Sequence, residues 1–259
     1  MIHKMEQLTK SFLILGLCTI LFTRCGQDDS SSPDPDSPPD EIEIVPNDFL
    51  SESTYDQLTI EVVYVEGYEP TTGAISGLKT FLEERLNKSG GITITMTSIP
   101  SPGKTVYTLD DIQEVEEGYR TVFPEGSKLA AWFFFADTDY ADNEEDSKVL
   151  GITYSPTSVV IFEKSVREFS GDRGQPTDKV LESTVMEHEF GHILGLVNNG
   201  TAMVEYHQDI ANGRHCNNTN CLMYYAAEHS GRIINFLSGG VIPELCNYCL
   251  EDLKNNGGK

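Results

Sequence analysis

An α+β domain is expected from three features of the chain. Short β-branched and aromatic runs alternate with longer amphipathic stretches, one of those stretches carries His188-Glu189-Phe190-Gly191-His192, and four cysteines in two close pairs follow it. The elements read in order from the N-terminus. Lys4 and Lys10 precede the apolar run 12–22, which is short for a bilayer span and has the make-up of a secretory signal over residues 1–24. Residues 25–47 are rich in Ser, Pro and Asp and poor in apolar side chains, so a disordered acidic tether is expected there. Residues 48–259 are long enough for one domain with its own core.

Within that domain, 58–65 reads as a strand and 72–87 as a helix with Ile75, Leu78, Leu82 and Leu86 on one face. Gly90-Gly91 breaks the chain before a strand at 92–96. A second helix is expected over 109–123, opened by Asp110-Asp111, and then a buried strand over 129–136 with the sole tryptophan, Trp132. Strands at 149–154 and 158–162 complete the sheet. A helix from Thr177 follows, with Leu181, Val185, Ile193 and Leu194 at the spacing of one buried face.

This last helix carries the chemistry. At 3.6 residues per turn, His188 and His192 stand one above the other and can reach one cation at about 2.0–2.1 Å. Glu189 points about 100° away, off the metal but near enough to take a proton from a water activated there. Chance occurrence of H-E-x-x-H is opposed by its setting, because five of the six histidines lie between positions 188 and 229. Gly195 suits the left-handed turn that ends such a helix. Asn198 reads as a turn residue, since an amide oxygen is a weak ligand beside imidazole. The third nitrogen ligand is therefore His215 or His207, and His229 reads as a surface residue. Two short-spaced pairs, Cys216 with Cys221 and Cys246 with Cys249, suit either a closed zinc-thiolate site or two disulfides.

H-E-x-x-H-x-x-G, then His215-Cys216, Cys221-Leu222-Met223 and Cys246-Asn247-Tyr248-Cys249, together resemble the archaemetzincin branch of the metzincin zinc peptidases. A longer stretch, residues 196–215, separates Gly195 from Cys216 than that family has, and the second cysteine pair also lies further on. The resemblance implies a metzincin-like zincin: a twisted mixed sheet, an active-site helix and a smaller irregular C-terminal subdomain stapled by cysteines. It implies His215 as third ligand, because His215 keeps its place before Cys216, with His207 a neighbour of the site. It further implies Met223 as the apolar floor under the imidazoles, the Met-turn, and Tyr225 as a hydrogen-bond donor to the oxyanion. The edge strand near Gly151–Tyr154 would pair with an extended peptide. The implied cofactors are one catalytic Zn2+ and a second, structural one.

The expected activity is that of a zinc metalloendopeptidase with Glu189 as general base and acid. The alternative is a non-catalytic zinc-containing surface lipoprotein that binds glycan or protein. Cys25-Gly26-Gln27-Asp28-Asp29 resembles a bacterial lipoprotein junction, so Cys25 would carry lipid and hold an exported protein at the outer membrane or cell surface. Plain secretion is the alternative, and Arg24 is an unusual neighbour for the cleavage point. A peptide or protein substrate and a monomer are expected. The net charge of -23 argues against nucleic acid and anionic lipid surfaces as partners.

Overall fold

The computed structural model describes residues 43–145 and 147–259. The signal segment, the lipidation site Cys25 and most of the tether lie outside the described residues. Packing starts a few residues before the expected boundary at 48. Ile44 lies against the core, and Pro46 opens helix α1 (Pro46–Leu50), whose Phe49 and Leu50 are fully buried. Proline at a first helical turn loses no hydrogen bond there.

Five strands make one sheet: β1 (Gln57–Val65), β2 (Gly91–Ile99), β3 (Lys128–Phe135), β4 (Gly151–Ser155) and β5 (Ser158–Ile161). Their order is β2-β1-β3-β5-β4. All neighbours are parallel except β4 and β5, which pair as an antiparallel hairpin. The sheet is thus mostly parallel, as α-helical crossovers between β1, β2 and β3 require.

Alternation on the central strand sets two cores. Leu129, Ala131, Phe133 and Phe135 of β3 face one side, with Leu58, Ile60 and Val62 of β1. Trp132, Phe134 and Ala136 face the other, with Val63 and Val65. Both faces of β3 are buried, which is why its sequence is an unbroken apolar run and not an alternating one. The second core is covered by α3 (Leu109–Tyr119) through Ile112 and Val115. The first is covered by α2 (Thr72–Arg85) and α5 (Asp178–Ile193).

The helices are shorter than expected, and neighbouring groups set their ends. On α2, Leu78 and Leu82 are buried with Ala74 and Phe81, and Leu86 caps the end, while Ile75 is only half-buried. Helix α3 opens with Thr108, whose hydroxyl accepts from Asp111 N while the Asp111 carboxylate accepts from Thr108 N, so the start is a capping box and not an Asp-Asp turn. It stops at 119 because the buried Glu61 carboxylate on β1 takes the backbone N–H groups of Thr121 and Val122. Helix α4 (Glu163–Glu168) follows the hairpin. After α5 come two 3-10 turns (Ile210–Asn212 and Tyr225–Ala227), α6 (Ser230–Phe236) and α7 (Asn247–Asn255). This smaller C-terminal part closes over α5, so α5 is buried on every side from Leu181 onward, and not on one face only.

Candidate metal centre

Helix α5 starts at Thr177, whose hydroxyl accepts from Val180 N. It is tied to α2 by Glu182, whose carboxylate accepts from both the backbone N and the hydroxyl of Thr71. Its last turn presents His188 and His192 with their Nε2 atoms 3.2 Å apart. Gly195, at φ +72, ends the helix, and a side chain there would run into Pro46 Cγ and Thr201 N at 2.6 Å. Val197 and Asn198 continue the left-handed turn, so Asn198 is a turn residue as expected, its amide bonded to Gln208.

The chain then makes its long excursion and brings His215 back to the helix. Centroids of the His188, His192 and His215 rings lie 4.9, 5.2 and 5.1 Å apart, a nearly equilateral triangle. His188 Nδ1 donates to Leu222 O at 2.7 Å, and His215 Nδ1 donates to Asn212 O at 2.5 Å. Those bonds fix the tautomer of the neutral rings and leave bare Nε2 lone pairs pointing inward.

His207 is elsewhere. It is fully buried, with Nε2 donating to Asp252 Oδ2 at 2.7 Å and Nδ1 to Cys216 Sγ at 3.3 Å. It is therefore neither the third imidazole of the cluster nor a substrate contact. Burial pulls its pKa down, but the bonds to Cys216 and Asp252 outweigh that and raise it to about 9. His207 is thus a buried cation between a carboxylate and the sulfur cluster.

The four sulfurs of Cys216, Cys221, Cys246 and Cys249 gather with separations of 3.6, 3.7 and 3.9 Å, and all four cysteines are free. A tetrahedron of sulfurs around zinc, at about 2.3 Å per bond, has edges of roughly 3.8 Å. The four sulfurs form a group that could hold a metal ion.

Glu189 is buried against β4. Thr153 Oγ1 lies 2.9 Å from its Oε2 and 2.8 Å from its backbone O, while Oε1 has no hydrogen-bond partner among the described residues. Burial, then the charge of Glu228, raises its pKa to about 7. Gly151 makes room for it, since a Cβ there would sit 2.8 Å from Glu189 Cγ and from Val185 Cγ1. Gly151→Ala is expected to cost about 1–3 kcal/mol by overpacking and to lower any cleavage by about 10²-fold through the displaced carboxylate. Thermal unfolding and turnover of the variant check both.

Met223 is fully buried beneath the motif, close enough that a side chain at Gly191 would meet its Sδ at 2.3 Å. Tyr225 gives its hydroxyl to a bond from Arg232 and lines, with Asn212, His229 and Arg232, a cavity of about 470 Å3. Its hydroxyl as found therefore serves Arg232. His229 is half-exposed, as expected of a surface residue.

Sequence reasoning missed Glu228. Its Oε1 lies 3.2 Å from His188 Nε2, 3.0 Å from His192 Nε2 and 2.8 Å from His215 Nε2. Together these four residues form a second group able to hold a metal ion, beside the four cysteines. Strand β4 forms an edge of the sheet, as expected, and a second cavity of about 440 Å3 lies between Thr153–Pro156, His192 and the Glu43–Pro46 segment.

The fold is a mixed α/β architecture with a central, mostly parallel sheet and a cysteine cluster near the C-terminus. Among solved structures, the chain is similar to archaemetzincin from Methanopyrus kandleri, with 14% identity and a TM-score of 0.51 over 78% of this chain and 96% of that one. It also matches metalloproteinase-II from Bacteroides fragilis, with 15% identity and a TM-score of 0.41 over 77% of this chain and 54% of that one. The first likeness shows the fold. No protein-family model matches the sequence, and no curated protein is similar to it.

Proposed function

We propose that this protein is a zinc-dependent metalloendopeptidase. The observation that carries the proposal is the gathering of the His188, His192 and His215 Nε2 atoms, with Glu228, into one group able to hold a metal ion, next in sequence to the buried Glu189. His188, His192 and His215 would hold the zinc. When bound, zinc supplies Lewis acidity toward a carbonyl oxygen and acidifies the attacking water.

The remaining chemistry belongs to the chain. Glu189, held near neutrality, accepts the proton of the attacking water and passes it to the leaving amine. Thr153 fixes one carboxylate oxygen, which leaves the unpartnered Oε1 free for that exchange. The outer edge of β4 offers main-chain groups to an extended peptide. The cavity beside His192 and Ile193, walled by Val45, Pro46 and Pro156, would take a substrate side chain. Tyr225 reaches an oxyanion only by leaving Arg232.

A second zinc in the tetrathiolate would staple Cys216 and Cys221 to α7, with the His207 ring, held by Asp252, facing the sulfurs. Lipidation at Cys25 would tether the enzyme to the outside of the cell envelope, and its substrates would be peptides or proteins met there. Among the described residues, no helix is long and apolar enough to cross a membrane.

The test is proteolysis by the mature chain. Cleavage of unfolded casein is expected, lost on treatment with 1,10-phenanthroline and regained on addition of zinc. A chain that holds zinc at the histidines yet cleaves nothing across a broad peptide library would instead support the binding-protein alternative.

A further inference from the structure

The three imidazoles are not alone at their meeting point. A catalytic zinc keeps one of its four positions for water or substrate, and here a carboxylate of the same chain, that of Glu228, lies against all three imidazoles. For bonds of about 2.0–2.1 Å a tetrahedral site has edges near 3.3 Å. The measured separations are 3.2 Å for His188 to His192, and 3.2, 3.0 and 2.8 Å from Glu228 Oε1 to His188, His192 and His215. These four separations are close to the edges of such a tetrahedron, and all four ligand atoms lie within 4.8 Å of one another.

Hydrogen bonding accounts for only part of this arrangement, because one carboxylate oxygen faces all three Nε2 atoms at once. His188 and His215 each use their Nδ1 proton on a backbone carbonyl, so in the neutral rings the Nε2 atoms that face Glu228 are acceptors. Acceptors facing a carboxylate oxygen at 2.8–3.2 Å repel each other unless a cation lies between them. The position of Glu228 is also built by the backbone. Its carbonyl accepts from Leu150 N, just before β4, and His229 pairs with Val149 in an antiparallel bridge. The segment that carries Glu228 is therefore stitched to the strand that flanks Glu189, on the open side of the metal.

We propose that Glu228 is a fourth protein ligand that closes the metal centre in the resting protein, so that substrate or water enters only when Glu228 turns out. This inference rests on the metalloenzyme reading of the same site. Turning out needs only side-chain rotation, because the anchored atoms are in the backbone. Room is at hand for it. The cavity of about 470 Å3 is lined by Arg232, His229 and Tyr225 but also by Asp142 and Glu144, and Glu228 Oε2 already lies 4.0 Å from His229 Nε2. A protein with such a gate holds its metal more tightly and reacts more slowly than one with three ligands and water.

The experiment is competition at the metal. The full mature chain and Glu228→Ala are loaded with Co2+ in place of zinc and titrated with acetohydroxamate, with the visible d–d spectrum as readout. In the wild type acetohydroxamate must displace the carboxylate, so its apparent affinity is reduced by the fraction of open sites. The expected result is binding about tenfold or more tighter to Glu228→Ala than to wild type. Metal release to a chelator should be about 10–100-fold faster from the variant, at least the loss seen when a ligand's supporting partner is removed. Should Glu228→Ala lose the wild-type circular dichroism, Glu228→Gln replaces it in the same comparison. Equal acetohydroxamate affinity in wild type and variant overturns the proposal and leaves the three-histidine site standing. A wild-type chain that takes up no Co2+ at the histidines overturns the metal centre itself, and the same titration reads that out separately.

Discussion

Replacement of Glu189 by Gln is expected to leave the metal content at the wild-type level and to lower peptide cleavage by about 10²–10⁴-fold, the usual contribution of a general base. Glu189 is not among the converging ligand atoms, which come from His188, His192, His215 and Glu228. Glutamine preserves its shape and can keep its bond with Thr153, so the pocket between β4 and α5 stays filled. Only the ability to carry a proton is lost. Metal analysis beside kcat/KM separates this outcome from misfolding. A variant that cleaves as well as the wild type removes Glu189 from the reaction, and one that has lost its metal makes the residue structural.

The second large effect is expected at the sulfur cluster. Cys249 is fully buried on α7, and its Sγ lies 3.6 Å from Cys221 Sγ and 3.9 Å from Cys246 Sγ. Cys249→Ser leaves three thiolates where four are needed. Binding at a structural zinc site adds directly to folding free energy, by roughly 10–16 kcal/mol in small zinc domains. Whole domains are stable by only about 5–15 kcal/mol. The variant is therefore expected to lose one zinc and to unfold the part that holds His215, which immediately precedes Cys216. Cleavage should fall with it. The measurements are zinc per chain, the thermal midpoint and thiol titration of the unreduced wild type in denaturant. Four reactive thiols after zinc removal agree with the tetrathiolate, whereas none would mean two disulfides.

The strands were legible because each is a short β-branched or aromatic run cut by glycine or polar turns, and their ends fall within a few residues of the expected ones. Helix ends were not, since groups distant in sequence set them, as Glu61 does for α3. The same division runs through the site. His188, Glu189 and His192 are fixed by helical spacing, and His215 was marked by its place before Cys216. Glu228, Thr153, Gly151 and Asp252 belong to no local pattern and are brought in by tertiary packing. His207 was left open as the alternative third ligand for that reason. Its partner Asp252 lies 45 positions away, and no spacing rule links them. The only hint for Glu228 was an acid beside His229 soon after Met223, which is weak on its own.

The central claim is that three imidazoles from one helix and one returning loop grip a single zinc. An anomalous difference map of the mature protein at the zinc edge tests it most directly. Two peaks are predicted, one bonded to Nε2 of His188, His192 and His215 and one to the sulfurs of Cys216, Cys221, Cys246 and Cys249. No peak at the histidines in a zinc-replete crystal, or a peak there that leaves His215 unbonded, would contradict the account.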